Sequence, residues 1–354
     1  IALHEALTNL GTPLWYSWMA DLLPRQTLGR LWATRQWAVT LVSTLLGAGM
    51  AVAYYIFEMR GEAVGGFVVI GGLCLVLGLT DVILFKWVPE PPPERVEGCH
   101  LIETLMQPLR DPEFRPFLVF RAWFQFSAAL AYPFFTVYMI DQLQISALTT
   151  QLVFLMTPVG IILSTRLWGL LCDTYGERPV MVVILCGKMM IPLAFIIAPP
   201  IPAVAIPLLV PLLLIDGALN AAFDLSNQGI ILRNTPRRNR SMYIAANNFF
   251  SIGLAAAVAP LASGAVIMWL AGRPWEVGIY SFTGYHAVFA ISAVMRATAI
   301  LFALRLPTAG SAPVGVLLRN MLTRRTLRAA RYINALTASR SERRRVQVAR
   351  RLGR

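Results

Sequence analysis

The sequence predicts an all-α polytopic membrane protein. Three observations carry this expectation: 57% apolar against 14% charged residues with a mean hydropathy of +0.62, nine apolar runs of membrane length, and arginines gathered in alternate connections between those runs. Soluble domains carry about 25% charged residues, and a bilayer-crossing helix needs about 20 mostly apolar ones. The runs are centred near Trp15, Thr44, Cys74, Ala128, Gly160, Met189, Leu214, Val258 and Ser292.

Orientation follows from Lys and Arg, which accumulate on the cytoplasmic side. One set of connections holds Arg25, Arg30 and Arg35, then Arg95, Arg110 and Arg115, then Arg178, then Arg233, Arg237, Arg238 and Arg240. These are expected to be cytoplasmic. The alternate set holds little beyond Arg60 and Arg273. With nine spans the two ends lie on opposite sides, which predicts a cytoplasmic C-terminus in a plasma (bacterial inner) membrane.

Between the fifth and sixth runs lies Gly169-Leu170-Leu171-Cys172-Asp173-Thr174-Tyr175-Gly176-Glu177-Arg178, which fits G-x-L-x-D-x-x-G-x-R. Two glycines allow a tight interhelical turn, and a carboxylate and a guanidinium five residues apart can each reach a helix terminus of complementary partial charge. The motif resembles the cytoplasmic-loop signature of the major facilitator superfamily of secondary transporters. That resemblance implies a major facilitator fold, in which Gly169, Asp173, Gly176 and Arg178 join a cytoplasmic gate with the helix beginning near Leu31 to Arg35.

A second loop supports it. Leu23-Pro24-Arg25-Gln26-Thr27-Leu28-Gly29 aligns with Thr235-Pro236-Arg237-Arg238-Asn239-Arg240-Ser241 at an offset of 236 − 24 = 212 residues. The same offset pairs Ala33 with Ala245 and Gln36 with Asn248. A parallel repeat of about six helices is the arrangement expected of two major facilitator halves. Applied to Asp173, the offset falls before residue 1, so the sequence reads as N-terminally truncated, its nine helices equivalent to helices 4 to 12 of twelve. The alternative is a natural nine-helix protein.

Domain organisation follows from these landmarks. Residues 1–88 are the remainder of an N-terminal half, with three helices. Residues 89–113, containing Pro89, Pro91, Pro92 and Pro93, read as a cytoplasmic linker. Residues 114–306 form a six-helix C-terminal half, and 307–354 a basic tail. The segment Leu109-Arg110-Asp111-Pro112-Glu113-Phe114-Arg115 resembles the one that precedes the seventh helix in bacterial members of the family.

Ionisable groups at mid-membrane cost about 2.5–3.5 kcal/mol on insertion scales, so each needs a partner or a wet cavity. Asp216, Asn220 and Asp224 recur at i, i+4 and i+8 with Asn227 near the same stripe. The 212 offset equates them with His4, Thr8, Thr12 and Trp15. In the resembled family these two helices line the central cavity, which implies a substrate or ion pathway; the alternative is polar glue between helices, and for Asn227 and Trp15 it has at least equal weight. The deep cations are Arg121, Lys188 and Arg296. Arg121 shares a depth with Asp224 and is a candidate partner for it, while either Lys188 or Arg296 is expected to turn inward to Asp216. The stretch Leu46-Gly47-Ala48-Gly49-Met50 lacks the proline usual in drug–proton antiporters of the family.

Other function classes lack support. Cys74, Cys99, Cys172 and Cys186 form no C-x-x-C pair and read as free thiols, and His4, His100 and His286 do not cluster, so no metal or other cofactor is expected. No G-x-S-x-G, H-E-x-x-H or phosphate-cradling loop is present, which speaks against an enzyme and against ATP use. The net charge of +13 suggests nucleic acid only superficially, because twelve Arg against one Glu lie beyond Ser311. There Leu317, Leu318, Met321, Leu322, Ile333 and Leu336 recur at helical spacing, a pattern for anionic lipid or a solvated, topology-setting tail. The expected partners are therefore a small-molecule substrate, a coupling ion (proton or sodium) and anionic lipid, with the chain a monomer. A transporter-derived sensor or assembly factor that moves no solute is the alternative.

Overall fold

The computed structural model describes residues 28–87, 101–235, 240–272, 275–277, 280–306 and 313–322. Its long helices are α1 (Leu28–Met59), α2 (Ala63–Leu84), α4 (Arg115–Asp141), α6 (Met156–Tyr175), α7 (Glu177–Ile196), α8 (Pro202–Asn234) and α11 (Gly284–Leu304). Shorter helices are α3 (Leu101–Arg110), α5 (Ala147–Phe154), which leads into α6, and α12 (Val314–Leu322). One further span is composite: α9 (Arg240–Asn247), a π-helix (Asn248–Ala255) and α10 (Ala256–Trp269). An antiparallel pair, β1 (Trp275–Val277) and β2 (Tyr280–Phe282), joins it to α11.

Among the described residues six helices are long and apolar enough to cross a membrane: Val64–Trp87, Leu148–Tyr175, Glu177–Ile196, Pro202–Ile231, Met242–Trp269 and Gly284–Leu304. At 32 and 27 residues, α1 and α4 are also of membrane length. The run expected near Trp15 lies outside the described residues. Large apolar side chains such as Leu45, Phe67, Val68, Leu261 and Val294 are exposed, as lipid-facing surfaces require.

In lipid, helices associate through close backbone packing rather than through expulsion of water. The closest packing here is α6 against α8. A Cβ on Gly160 would overlap the Leu214 carbonyl oxygen, and one on Gly217 would overlap that of Thr157. Helix α4 is tied to its neighbours by hydroxyl donors: Ser292 Oγ donates to Ser127 O (2.6 Å) and Ser263 Oγ to Leu130 O (2.8 Å). Trp123 Nε1 donates to Thr298 Oγ1 at 2.9 Å.

Two apolar clusters fill the bundle. One gathers Phe117, Phe124, Trp168, Ile184, Phe223 and Tyr243; the other gathers Phe135, Tyr138, Phe195, Leu209 and Phe289. Along each of four helices a polar residue separates the clusters: Ser127 on α4, Lys188 on α7, Asp216 on α8, and Ser292 with Arg296 on α11. The buried ion pair and its polar neighbours are built in that layer.

The motif loop is short. Gly176, at φ +87°, alone separates α6 from α7, a conformation that L side chains rarely adopt. Glu177 opens α7 at the positive end of its dipole. Helix α12 packs on α7 with Leu317 fully buried, so this turn of the basic tail is held by protein contacts, whereas residues 323–354 lie outside the described residues.

Candidate functional site

At the polar layer Lys188 Nζ lies 2.6 Å from Asp216 Oδ1 and donates to Asn220 Oδ1 at 2.7 Å. Asn220 Nδ2 in turn donates to Asp216 Oδ2 at 3.1 Å, closing a three-residue ring between α7 and α8. Asp216 and Asn220 can share it because they are four residues apart on one helix face. Lys188, Asp216 and Arg296 are each at most 6% exposed. Arg296 Nη1 donates to the Lys188 carbonyl at 2.8 Å.

One cation was expected to turn inward; both do. Lys188 meets the carboxylate directly, and Arg296 reaches the backbone of the helix that carries Lys188. The buried centre thus holds two cations around one carboxylate.

Toward the C-terminal end of α8 lies a cavity of about 200 Å³, lined by Gln36 of α1, Arg121 of α4, Asp224, Leu225, Asn227, Gln228 and Ile231 of α8, and Ile244, Asn247, Asn248 and Ile252 of the composite span. Asp224 is exposed, whereas Arg121 is buried with its guanidinium 4.9 Å from the centre of the Phe223 ring. Five carboxamides thus surround one carboxylate and one guanidinium. The cavity and the Lys188 ring share helix α8, with Asn220 four residues from Asp224.

The expected stripe on α8 therefore divides: Asp216 and Asn220 enter the ion centre, while Asp224 and Asn227 enter the cavity. Arg121 joins Asp224 in the cavity wall. His4, Thr8, Thr12, Trp15, Pro24, Arg25, Pro236 and Arg237 lie outside the described residues, and Gly29 sits in the first turn of α1. In the motif loop Asp173 is exposed on the last turn of α6, which packs against α1, the helix that carries Arg35. Arg178 donates through Nη2 to the Leu304 carbonyl of α11.

Sequence reasoning missed Gln228, Asn247 and the pairing of Arg166 over the Trp37 ring at 5.7 Å. Gln228 stands four residues beyond Asp224, and Asn247 precedes the already aligned Asn248, so the first two had a signal. The π-helix had none. It inserts where Asn247 and Asn248 meet the cavity, and such insertions are frequent at functional sites. Among the described residues no cluster of His, Cys, Asp and Glu is of a size to hold a metal, and Cys74, Cys172 and Cys186 are in no disulfide.

The sequence profile of the Major Facilitator Superfamily matches residues 2–260 and, in a second overlapping match, residues 117–339. The chain belongs to the major facilitator superfamily. Together with its apolar helices this makes it an integral membrane protein of that superfamily. Solved major facilitator structures agree in fold. A bacterial homologue of the iron transporter ferroportin in an outward-facing state superposes with a TM-score of 0.56 at 12% identity, over 81% of this chain and 66% of that one. A point mutant of the nucleoside transporter NupG gives a TM-score of 0.52 at 15% identity, over 73% of this chain and 64% of that one. The chain thus spans about two thirds of the length of the transporters it resembles. Comparison with curated protein sequences finds no match.

Proposed function

We propose that the chain forms the solute path of a secondary active transporter that moves a small solute by alternating access, driven by a proton or sodium gradient. The observation that carries this reading is that Gln36 and Asn248, 212 residues apart and equivalent under the internal repeat, line one polar cavity. A solute site between two repeats is what rocking of one half against the other exposes to each side in turn. In this reading residues 1–88 and 114–306 contribute to the two halves, residues 89–113 link them, and the described helices together with the run near Trp15 correspond to helices 4 to 12. Asp216, with Lys188 and Asn220, is the coupling centre beside the cavity. The loop bearing Gly169, Asp173, Gly176 and Arg178 closes the cytoplasmic side against α1 near Arg35. The C-terminal tail is cytoplasmic and its arginines meet anionic lipid, and the chain acts as a monomer in the plasma membrane.

The test is uptake of pooled radiolabelled solutes into vesicles containing the protein, under an imposed proton or sodium gradient. Gradient-dependent uptake above protein-free vesicles is expected, falling at least tenfold in Asn248→Leu. Uptake no greater than in protein-free vesicles under either gradient leaves the sensor reading in its place.

A further inference from the structure

We propose that the cavity takes a small zwitterionic solute of the α-amino acid class, with its ammonium group against Asp224, Asn227 and Asn247 and its carboxylate against Arg121. This deepens the transporter reading and rests on it.

Charge is the first argument. Arg121 and Asp224 face one cavity, and their charges sum to zero. A solute carrying net charge would add an uncompensated charge beside the buried Arg121 guanidinium, which is costly. A zwitterion adds none and offers each side chain its opposite.

Unfilled acceptors are the second. The Oδ1 atoms of Asn227 and Asn247 are buried and accept no hydrogen bond, though both residues line the cavity. Buried polar atoms in folded proteins nearly always have a partner, so donors are wanted here. An ammonium group brings three N–H donors. Asn227 follows Asp224 by three residues on α8, which sets its oxygen on the same face as the carboxylate that would hold the charge.

Size and polarity complete the case. At about 200 Å³ the cavity lies below the roughly 300–1,000 Å³ range of drug-sized sites. Its carboxamides present donors and acceptors together, which suits the compact polar head of an amino acid. A monosaccharide would fill the acceptors but leave the Arg121 and Asp224 charges without a counterpart on the solute. A simple cation would fill the acceptors and leave Arg121 facing like charge.

The experiment is thermal unfolding of the purified protein in detergent with four separate pools: L-amino acids with uncharged side chains, their methyl esters, their N-acetyl derivatives, and monosaccharides with polyols. The amino-acid pool is expected to raise Tm by several degrees, and the other three are not. In Asp224→Asn, whose side chain is exposed and whose fold is expected to survive, protection should pass from the amino acids to the anionic N-acetyl pool with at least a tenfold change in relative affinity. In Arg121→Gln it should pass to the cationic esters. Equal protection of the unmodified protein by esters, N-acetyl derivatives or sugars overturns the zwitterion assignment and leaves the transporter reading standing. Amino-acid protection that Asp224→Asn does not alter also overturns it, since binding is then elsewhere. Protection by no pool removes both the assignment and the cavity as a solute site.

Discussion

Lys188 Nζ and Asp216 Oδ1 are 2.6 Å apart, in a layer between two apolar clusters where neither side chain meets bulk solvent. Removing one partner of a buried pair leaves an uncompensated charge and costs about 3–5 kcal/mol, whereas replacing both by apolar groups of similar volume is often neutral. Asp216→Leu alone should therefore lower Tm markedly, and Lys188→Met added to it should restore part of the loss, buried Arg296 still lacking the carboxylate. Thermal unfolding in detergent of the two single variants and the double measures this coupling; strictly additive losses would show that the pair is not a unit.

Replacing the charge while keeping the shape also leaves Lys188 without its counter-charge, so uptake is scored per folded protein beside the Tm of the same variant. Asp216→Asn keeps one oxygen to accept from Lys188 but cannot carry the negative charge that the proposed coupling requires. Gradient-driven uptake should be lost while solute exchange without a gradient persists. Normal coupled uptake by this variant would rule out Asp216 as the coupling carboxylate.

Helices α6 and α8 meet backbone to backbone at Gly160 and Gly217. Gly160→Val or Gly217→Val must push the helices apart, and overpacking costs about 1–3 kcal/mol or more. Both should show reduced yield and a lower Tm. Gly187→Ala is the control, since its new methyl meets only the terminal part of the Leu219 side chain, which can turn away.

The motif loop supplies a prediction about rate. Asp173 is exposed at the C-terminal end of α6, where its charge opposes the helix's own dipole, and α6 packs on α1, whose N-terminal end carries the favourable partial charge. That attraction is worth about 0.3–1 kcal/mol, or roughly a two- to fivefold bias between closed and open cytoplasmic states. Asp173→Asn should slow transport and raise cytoplasmic-side thiol labelling of Asn227→Cys, a cavity position, with solute affinity changed far less. Unchanged labelling with collapsed affinity would make Asp173 a ligand.

Tyr243 fastens the start of the composite span. Its hydroxyl donates to Asp111 Oδ2 at 2.7 Å, and Asp111 Oδ1 accepts from the Glu113 backbone at 2.9 Å. A hydrogen bond to a charged acceptor contributes about 1.5–3 kcal/mol. Tyr243→Phe keeps the ring contact with Phe114 and should lower Tm by that measure alone.

How far the site was legible varies residue by residue. The stripe at 216, 220 and 224 needs only helical spacing, and the 212-residue offset joins Gln36 to Asn248, which line one cavity. Lys188 and Arg296 read as costly in lipid and Asp216 as the partner of one of them, but helical spacing does not choose between the two cations. Arg166 was passed over, because a cation on an otherwise apolar run gives no hint of a ring on another helix. The π-helix at Asn248–Ala255 has no composition of its own, being a response to packing.

The apolar runs, the basic loops, the Gly176 turn and the repeat offset are properties of local sequence, and the sequence by itself determined them: hydropathy decides what enters a bilayer, and glycine decides where the chain can turn. Rotation of each helix about its own axis is different. In lipid an apolar face is equally at ease against a neighbour or against acyl chains, so hydropathy does not say which face turns inward. That was decided by the close approach at Gly160 and Gly217 and by the hydroxyl bonds around α4. Only with those in place does α8 divide its polar stripe, presenting Asp216 to Lys188 and Asp224 to the cavity.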